Sequence, residues 1–256
     1  MDKHHFFLQL SLFKRRVVFL LVPLWLFFAS EAFVSANPLS CADDHQAANT
    51  AFQRIENEWP LRSSGDEVTQ YVQNLGVHLA QLKGYGHAFT WRFSVIRNLT
   101  PNAFSIGDGY VFVTEGAINF AESESELVAI LAHEVGHELA GHFCTDQSSS
   151  AFSTLFDDLF IPKSEQHRVG IGSLTQVIDV VKEQQADRIA LSIIKAGGYD
   201  PMAMLSLARR LPSDGSTHLI DASRIQALEK AIANLPVQPV QSSVEFLAIK
   251  RLLASH

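Results

Sequence analysis

The segment from Ser123 to His142 constrains the fold more than any other part of the chain. Leu127, Val128, Ile130, Leu131 and Val135 make it apolar nearly all round, the pattern of a helix buried at the centre of a core. Into that apolar surround it carries two imidazoles and a carboxylate within five residues: His133, Glu134 and His137. Ser123, with Glu126 three residues on, has the capping-box spacing that opens such a helix. The fold must wrap this helix and also satisfy the polar groups it takes into the interior.

At 3.6 residues per turn His133 and His137 share a face, so both rings reach one cation. Glu134 lies about 100° further round the helix, beside the cation and not on it. That position suits a general base for the attacking water. Zinc, one ion per subunit, is the expected metal. The alternative is a core helix with internally bonded histidines, which would need several buried partners at once.

A second long helix is predicted from about Leu174 to Ala196, ending at Gly197-Gly198. Glu183 and Asp187 share one of its faces at i, i+4. Glu183 is the expected third ligand. Asp187 would accept the outer N–H of a ligand histidine and fix its tautomer. Ala186 is small enough to let the two helices approach closely. Glu165 and His167 are rival ligands, but they fall in a weakly patterned stretch with no partner four residues on. A third-histidine ligand set fails on spacing, since Phe143 stands six residues after His137 and Ala140 three after it. His142 comes one residue too early and reads as a helix-end or supporting histidine. The glutamate-ligand class is the better match.

Around these two helices the periodicity predicts further helices over Asp43–Trp59, Gly65–Lys83, from Pro201, over Ala222–Asn234 and over Val244–Leu253. Phe89, Trp91, Phe93 and Val95 alternate with polar residues, as in a strand with one buried face. A second strand pair spans Ser105 to Thr114 and turns at Gly107-Asp108-Gly109. Residues 145–173 read as a loop. The expected class is α+β, mainly helical, with five to seven helices and one small sheet over the catalytic helix. Residues 37–235 are expected to form the zinc-site domain, and 236–256 a linker with an amphipathic helix.

Within the strand pair, Gly109, Tyr110, Val111, Phe112 and Val113 are expected to be an edge strand that takes substrate main chain to main chain. An ordinary core strand is the alternative, because the run is so apolar. His218 follows a polar segment, Ser213 to Thr217, in which Gly215 permits a turn toward the cleft. It is expected to occupy the fourth position on the metal and gate the site; substrate binding or helix capping is the alternative. Arg188 and Arg224 are both candidates for a supporting role.

The N-terminus has an export pattern. Lys14-Arg15-Arg16 flanks an uncharged apolar run from Val17 to Ala29, and Val34-Ser35-Ala36 supplies small residues for cleavage after Ala36. The alternative is an uncleaved anchor that associates with the membrane. Cys41 and Cys144 fit an oxidising compartment, paired or each alone. The whole chain carries a net charge of −7. Four of its basic residues (Lys3, Lys14, Arg15 and Arg16) lie in the export segment, so the body is acidic and shows no Lys/Arg stripe for nucleic acid.

Four pieces together resemble peptidase family M48, and within it the periplasmic BepA/LoiP branch. They are Asn102-Ala103-Phe104-Ser105 with Gly109 to Thr114; His133 to His137 with His142; Glu183 to Asp187; and Thr217-His218 with Arg224-Ile225. The resemblance implies a gluzincin-type fold and zinc-dependent endoproteolysis of polypeptides, misfolded or unassembled envelope proteins, in the periplasm. Three departures stand beside it: Leu219 replaces a family proline, the stretch between His137 and Glu183 is short, and the 256 residues hold no tetratricopeptide extension. A recruiting role that rests on such an extension is not carried over. A chaperone-like protein that keeps zinc and cleaves little is the alternative, and the intact Glu134 speaks against it.

Overall fold

Tyr71, Val72, Leu75 and Leu79 recur at the three- and four-residue steps of a helix that packs one face. In the computed structural model, which describes residues 42–142, 180–211, 218, 220–236 and 241–255, that helix is α2 (Glu67–Gln81). It follows α1 (Ala42–Glu58) and precedes a 3₁₀ turn at Tyr85–His87. Then come β1 (Arg92–Ile96), β2 (Ala103–Ser105) and β3 (Tyr110–Thr114). Six helices complete the order: α3 (Glu115–Phe120), α4 (Glu124–Leu139), α5 (Val180–Ala196), α6 (Met202–Arg210), α7 (Ala222–Ile232) and α8 (Val244–Ala254). The export segment, Cys41, Cys144, the 145–173 loop with Glu165 and His167, and Ser213 to Thr217 lie outside the described residues.

The architecture is the mainly helical α+β domain with one small sheet that the periodicity implies. Among the described residues it has eight α-helices, one more than expected, because Glu115–Phe120 closes a short helix capped by Thr114 Oγ1 on the Ala117 N–H (3.0 Å). No described helix is long and apolar enough to cross a membrane.

The sheet order is β1-β3-β2, with β1 parallel and β2 antiparallel to β3. This corrects the edge-strand expectation for Gly109, Tyr110, Val111, Phe112 and Val113. Tyr110–Thr114 is the central strand, and its ladders run to β1 on one side and β2 on the other. The physical reason lies in its side chains. Val111 and Val113 point into the helical core with Leu131 and Val135, while Phe112 and Tyr110 point to the other face, under Phe52 and Ile55 of α1. A strand buried on both faces reads as a near-continuous apolar run, and this one does. β2 is the outer strand on the side of α4.

α4 is the axis of the molecule. Ser123 Oγ accepts the Glu126 N–H (3.3 Å) at its start, while Glu126 reaches back to the N–H of Glu122 (2.7 Å), one residue before the cap. Leu127, Leu131 and Val135 are fully buried, each worth about 1.5–3 kcal/mol of transfer free energy. The C-terminal helix α8 is part of the same core. Phe246, Ile249 and Leu253 are buried in it, and Ser243 Oγ donates to Glu124 Oε1 (2.8 Å) at the head of α4.

The entry to this core is tied by Arg62. Its guanidinium makes a two-point pair with Asp66 (2.7 Å at both oxygens) and also holds Glu115 at the start of α3. Asp66 caps α2 through the N–H groups of Val68 (2.9 Å) and Thr69 (3.3 Å). The Arg62 hydrogen bonds lower the Asp66 pKa against the opposing effect of burial. A carboxylate with a depressed folded-state pKa stabilises the fold above its unfolded pKa, and that contribution is lost as pH falls through the folded value. Asp66→Ala is therefore expected to cost about 2 kcal/mol at neutral pH. Denaturant melts of both proteins should show the difference shrinking below the carboxylate range; a constant difference down to acid pH would contradict it.

Candidate metal centre

Gly136 decides how closely α4 and α5 approach. A Cβ added there would lie 2.6 Å from the Ala186 carbonyl oxygen, inside contact distance, so the two helices meet backbone to backbone. At that separation Glu183 of α5 reaches the histidines of α4. Its Oε2 lies 3.3 Å from His133 Nε2 and its Oε1 3.2 Å from His137 Nε2. His133 Nε2 and His137 Nε2 are 3.0 Å apart. His218 enters from the segment before α7, with Nδ1 3.1 Å from Glu183 Oε1 and 3.2 Å from His133 Nε2.

These four side chains offer ligand atoms that all lie within 4.8 Å of one another. A tetrahedron with bonds of about 2.0 Å to zinc has edges of about 3.3 Å, and the contacts just given span 3.0–3.3 Å. Charge agrees with geometry. Glu134, Glu183 and Asp187 are buried beside one buried guanidinium, Arg224, an excess of negative charge that a divalent cation offsets. The donor set therefore fits a metal, and three imidazoles with one carboxylate suit zinc.

The surrounding groups fix the rings. Asp187 Oδ1 lies 2.9 Å from His133 Nδ1, on the side of the ring away from the centre, which leaves Nε2 facing it. Arg224, near the start of α7, clasps Asp187 with Nε and Nη2 (2.8 Å each) and reaches Glu183 Oε2 with Nη1 (2.5 Å). His142 Nδ1 stands 2.9 Å behind His137 Nδ1, and its Nε2 meets Gln185 Oε1 (3.4 Å). Arg188 is exposed on α5. Burial opposes ionisation of Asp187, yet His133 and Arg224 hold it down to about 2. Burial likewise opposes ionisation of Glu183, but the imidazoles of His218 and His133 keep its carboxyl below the usual range. Burial pushes His137 down to about 4, which leaves it the neutral imidazole that a metal requires.

Glu134 stands beside this cluster. Its Oε1 lies 3.1 Å from His218 Nε2, and its Oε2 accepts from Ser105 Oγ of β2 (3.2 Å). The Ala103 carbonyl of β2 is 3.3 Å from His218 Nε2. An apolar cavity of about 80 Å³ opens next to His133 and Glu134, lined among others by Phe120, Ile130, Met204, Leu207, Leu211 and Leu228.

Sequence reasoning missed Ser105, whose signal was a polar residue in an otherwise apolar strand, and Gly136, the partner of Ala186 in the close approach. It also missed Glu138, one turn beyond Glu134, although a charge on a helix buried all round is itself a signal. Tyr110 to Val113 lie in the central strand and not at an edge, and β2 is the strand that meets Glu134.

A catalytic-type helix bearing His-Glu-x-x-His, a glutamate from a second helix and a small sheet alongside define a metallopeptidase fold of the glutamate-ligand class. The chain belongs to peptidase family M48, whose family model matches residues 66–232. It is 25% identical over 245 residues to the beta-barrel assembly-enhancing protease of Escherichia coli K12, covering 84% of this chain and 49% of that one. It is 26% identical over 219 residues to the mitochondrial metalloendopeptidase OMA1 of Schizosaccharomyces pombe, covering 79% and 65%. The chain thus spans about half the length of the assembly-enhancing protease it matches.

Proposed function

We propose that this protein is a zinc-dependent metalloendopeptidase of the cell envelope that cleaves misfolded or unassembled proteins. The observation that carries the reading is Glu134. A purely structural metal site gains nothing from a buried carboxylate beside the donor cluster, whereas a hydrolytic one needs a base at that position. His133, His137 and Glu183 would hold the ion, with Asp187 and His142 orienting the two rings and Arg224 securing both carboxylates of α5. The ion supplies Lewis acidity, which makes water nucleophilic at neutral pH and polarises the scissile carbonyl. Glu134 takes the proton from the attacking water and delivers it to the leaving amine nitrogen.

Substrate would lie along β2, where Ser105 fixes the base and Ala103 faces His218. An extended segment there passes directly over Glu134, main chain alongside main chain. The cavity beside His133 and Glu134 would take an apolar side chain next to the scissile bond, and unfolded chains expose such side chains. The envelope location rests on the export pattern of the first 36 residues and on the name of the Escherichia coli relative, a beta-barrel assembly-enhancing protease.

Purified protein should cut casein, lose this activity to a chelator and regain it with zinc. Glu134→Gln keeps the shape but cannot take a proton, so zinc content should stay at one per chain while cleavage falls about a hundredfold or more. Near-normal turnover by that variant would contradict the reading.

His218 is proposed as a gate. Its ring lies against Glu183, His133 and Glu134 at once, the position that the water must enter. His218→Ala should raise basal casein cleavage with zinc content nearly unchanged. A variant that is folded, zinc-loaded and slower than the natural protein would assign His218 to substrate binding instead.

A further inference from the structure

Glu138 is a carboxyl group with 2% exposure that forms no ion pair with Lys, Arg or His among the described residues, and burial pushes its pKa up to about 8. It sits one turn beyond Glu134 on the same face of α4. An apolar side chain would be cheaper to bury there. What the carboxyl group does instead is accept two backbone N–H groups, Gly107 at 2.8 Å through Oε1 and Gly109 at 3.0 Å through Oε2. These belong to the turn between β2 and β3. Three consecutive residues of that turn have positive φ: Gly107 at 90°, Asp108 at 55° and Gly109 at 78°. Two hydrogen bonds therefore hold an unusual turn in one place on the catalytic helix.

β2 leads straight into this turn. Glu134 meets that strand at Ser105, and Glu138 meets the turn two and four residues later. α4 thus holds the hairpin at two points, on β2 at Ser105 and on the turn at Gly107 and Gly109. On the other side of the hairpin Tyr110 Oη donates to Asn49 of α1 (2.7 Å), so the hairpin is held between two helices.

We propose that Glu138 is a positioning residue: it sets the height of β2 over the metal centre and thereby aligns extended polypeptide with Glu134. This rests on the reading that substrate lies along β2. Small ligands of the metal do not use the strand and should be indifferent to Glu138. Long substrates should depend on it.

The test uses the full chain loaded with zinc and two quenched fluorescent peptides built on one bond that the protein cuts in casein. One peptide spans only the bond and its neighbours; the other is extended along the strand direction. Glu138→Gln and Glu138→Asp are compared with the natural protein for kcat/KM on both peptides, inhibition by acetohydroxamate, zinc content and Tm. The natural protein should favour the long peptide. In Glu138→Gln, where one acceptor oxygen is lost, that advantage should drop about tenfold while zinc content and hydroxamate inhibition stay unchanged. Glu138→Asp keeps two oxygens on a shorter arm and should fall between.

Undiminished preference for the long peptide in both variants would overturn the proposal. So would an equal loss on both peptides that tracks zinc or the folded fraction, or failure of both variants to fold, since the contact would then serve the fold alone. A natural protein that cuts both peptides equally well would remove the strand reading itself, a result visible without any variant.

Discussion

Gly136 and Ala186 bring α4 and α5 to backbone contact, and the donor atoms converge only at that separation. His133 and His137 come from one helix and Glu183 from the other, so a shift of either helix by one side-chain layer would disperse them. The rest of the domain serves this contact. α2 packs against α4 and α8 packs against α2 and α3, the Arg210 guanidinium binds Glu126 near the start of α4, and Lys250 Nζ reaches the carbonyls of Ile118 (3.3 Å) and Ala121 (2.9 Å) at the end of α3. A rigid scaffold of helices is what allows a site to be held to within a fraction of an ångström.

The same packing creates an electrostatic cost. Buried carboxylates are stable only when paired or bound to a cation, and Arg224 alone does not balance Glu134, Glu183 and Asp187. Part of the difference is met by protonation: burial disfavours the imidazolium, but Glu183 and Glu134 raise the pKa of His218 well above its ordinary value. A bound divalent cation would meet the same need. Proton and metal would thus be alternatives for one patch of negative potential, which would link metal binding to pH.

Much of this was legible in the sequence, and the reason is periodicity. His133 and His137 at i, i+4 and Glu183 and Asp187 at i, i+4 each report one helical face, so the donors of a single helix can be read locally. The capping residue Ser123 and the helix stop at Gly197-Gly198 are local as well. The order of the strands is not local. Tyr110 to Thr114 alternates like an edge strand facing water and also like a central strand between two layers; only the presence of Phe52 and Ile55 above it decides. β2, three residues long with Pro101 and Asn102 before it, carries almost no strand signal, although it is the strand that meets Glu134. The bidentate clasp of Arg224 on Asp187 spans 37 residues, and the Glu138 turn contact spans 29 and 31, so each pairing needed the folded chain to be seen.

The most direct measurement is zinc K-edge X-ray absorption on the protein purified with its metal, alongside Glu183→Gln. Zinc held by His133, His137, Glu183 and His218 should give one ion per chain, imidazole scattering, and nitrogen and oxygen neighbours at about 2.0–2.1 Å with no sulfur. Glu183→Gln should lower the affinity and change that shell. A protein that binds no stoichiometric metal, or one whose spectrum shows sulfur ligands and is unmoved by Glu183→Gln, would contradict a metal centre built by the approach of α4 and α5.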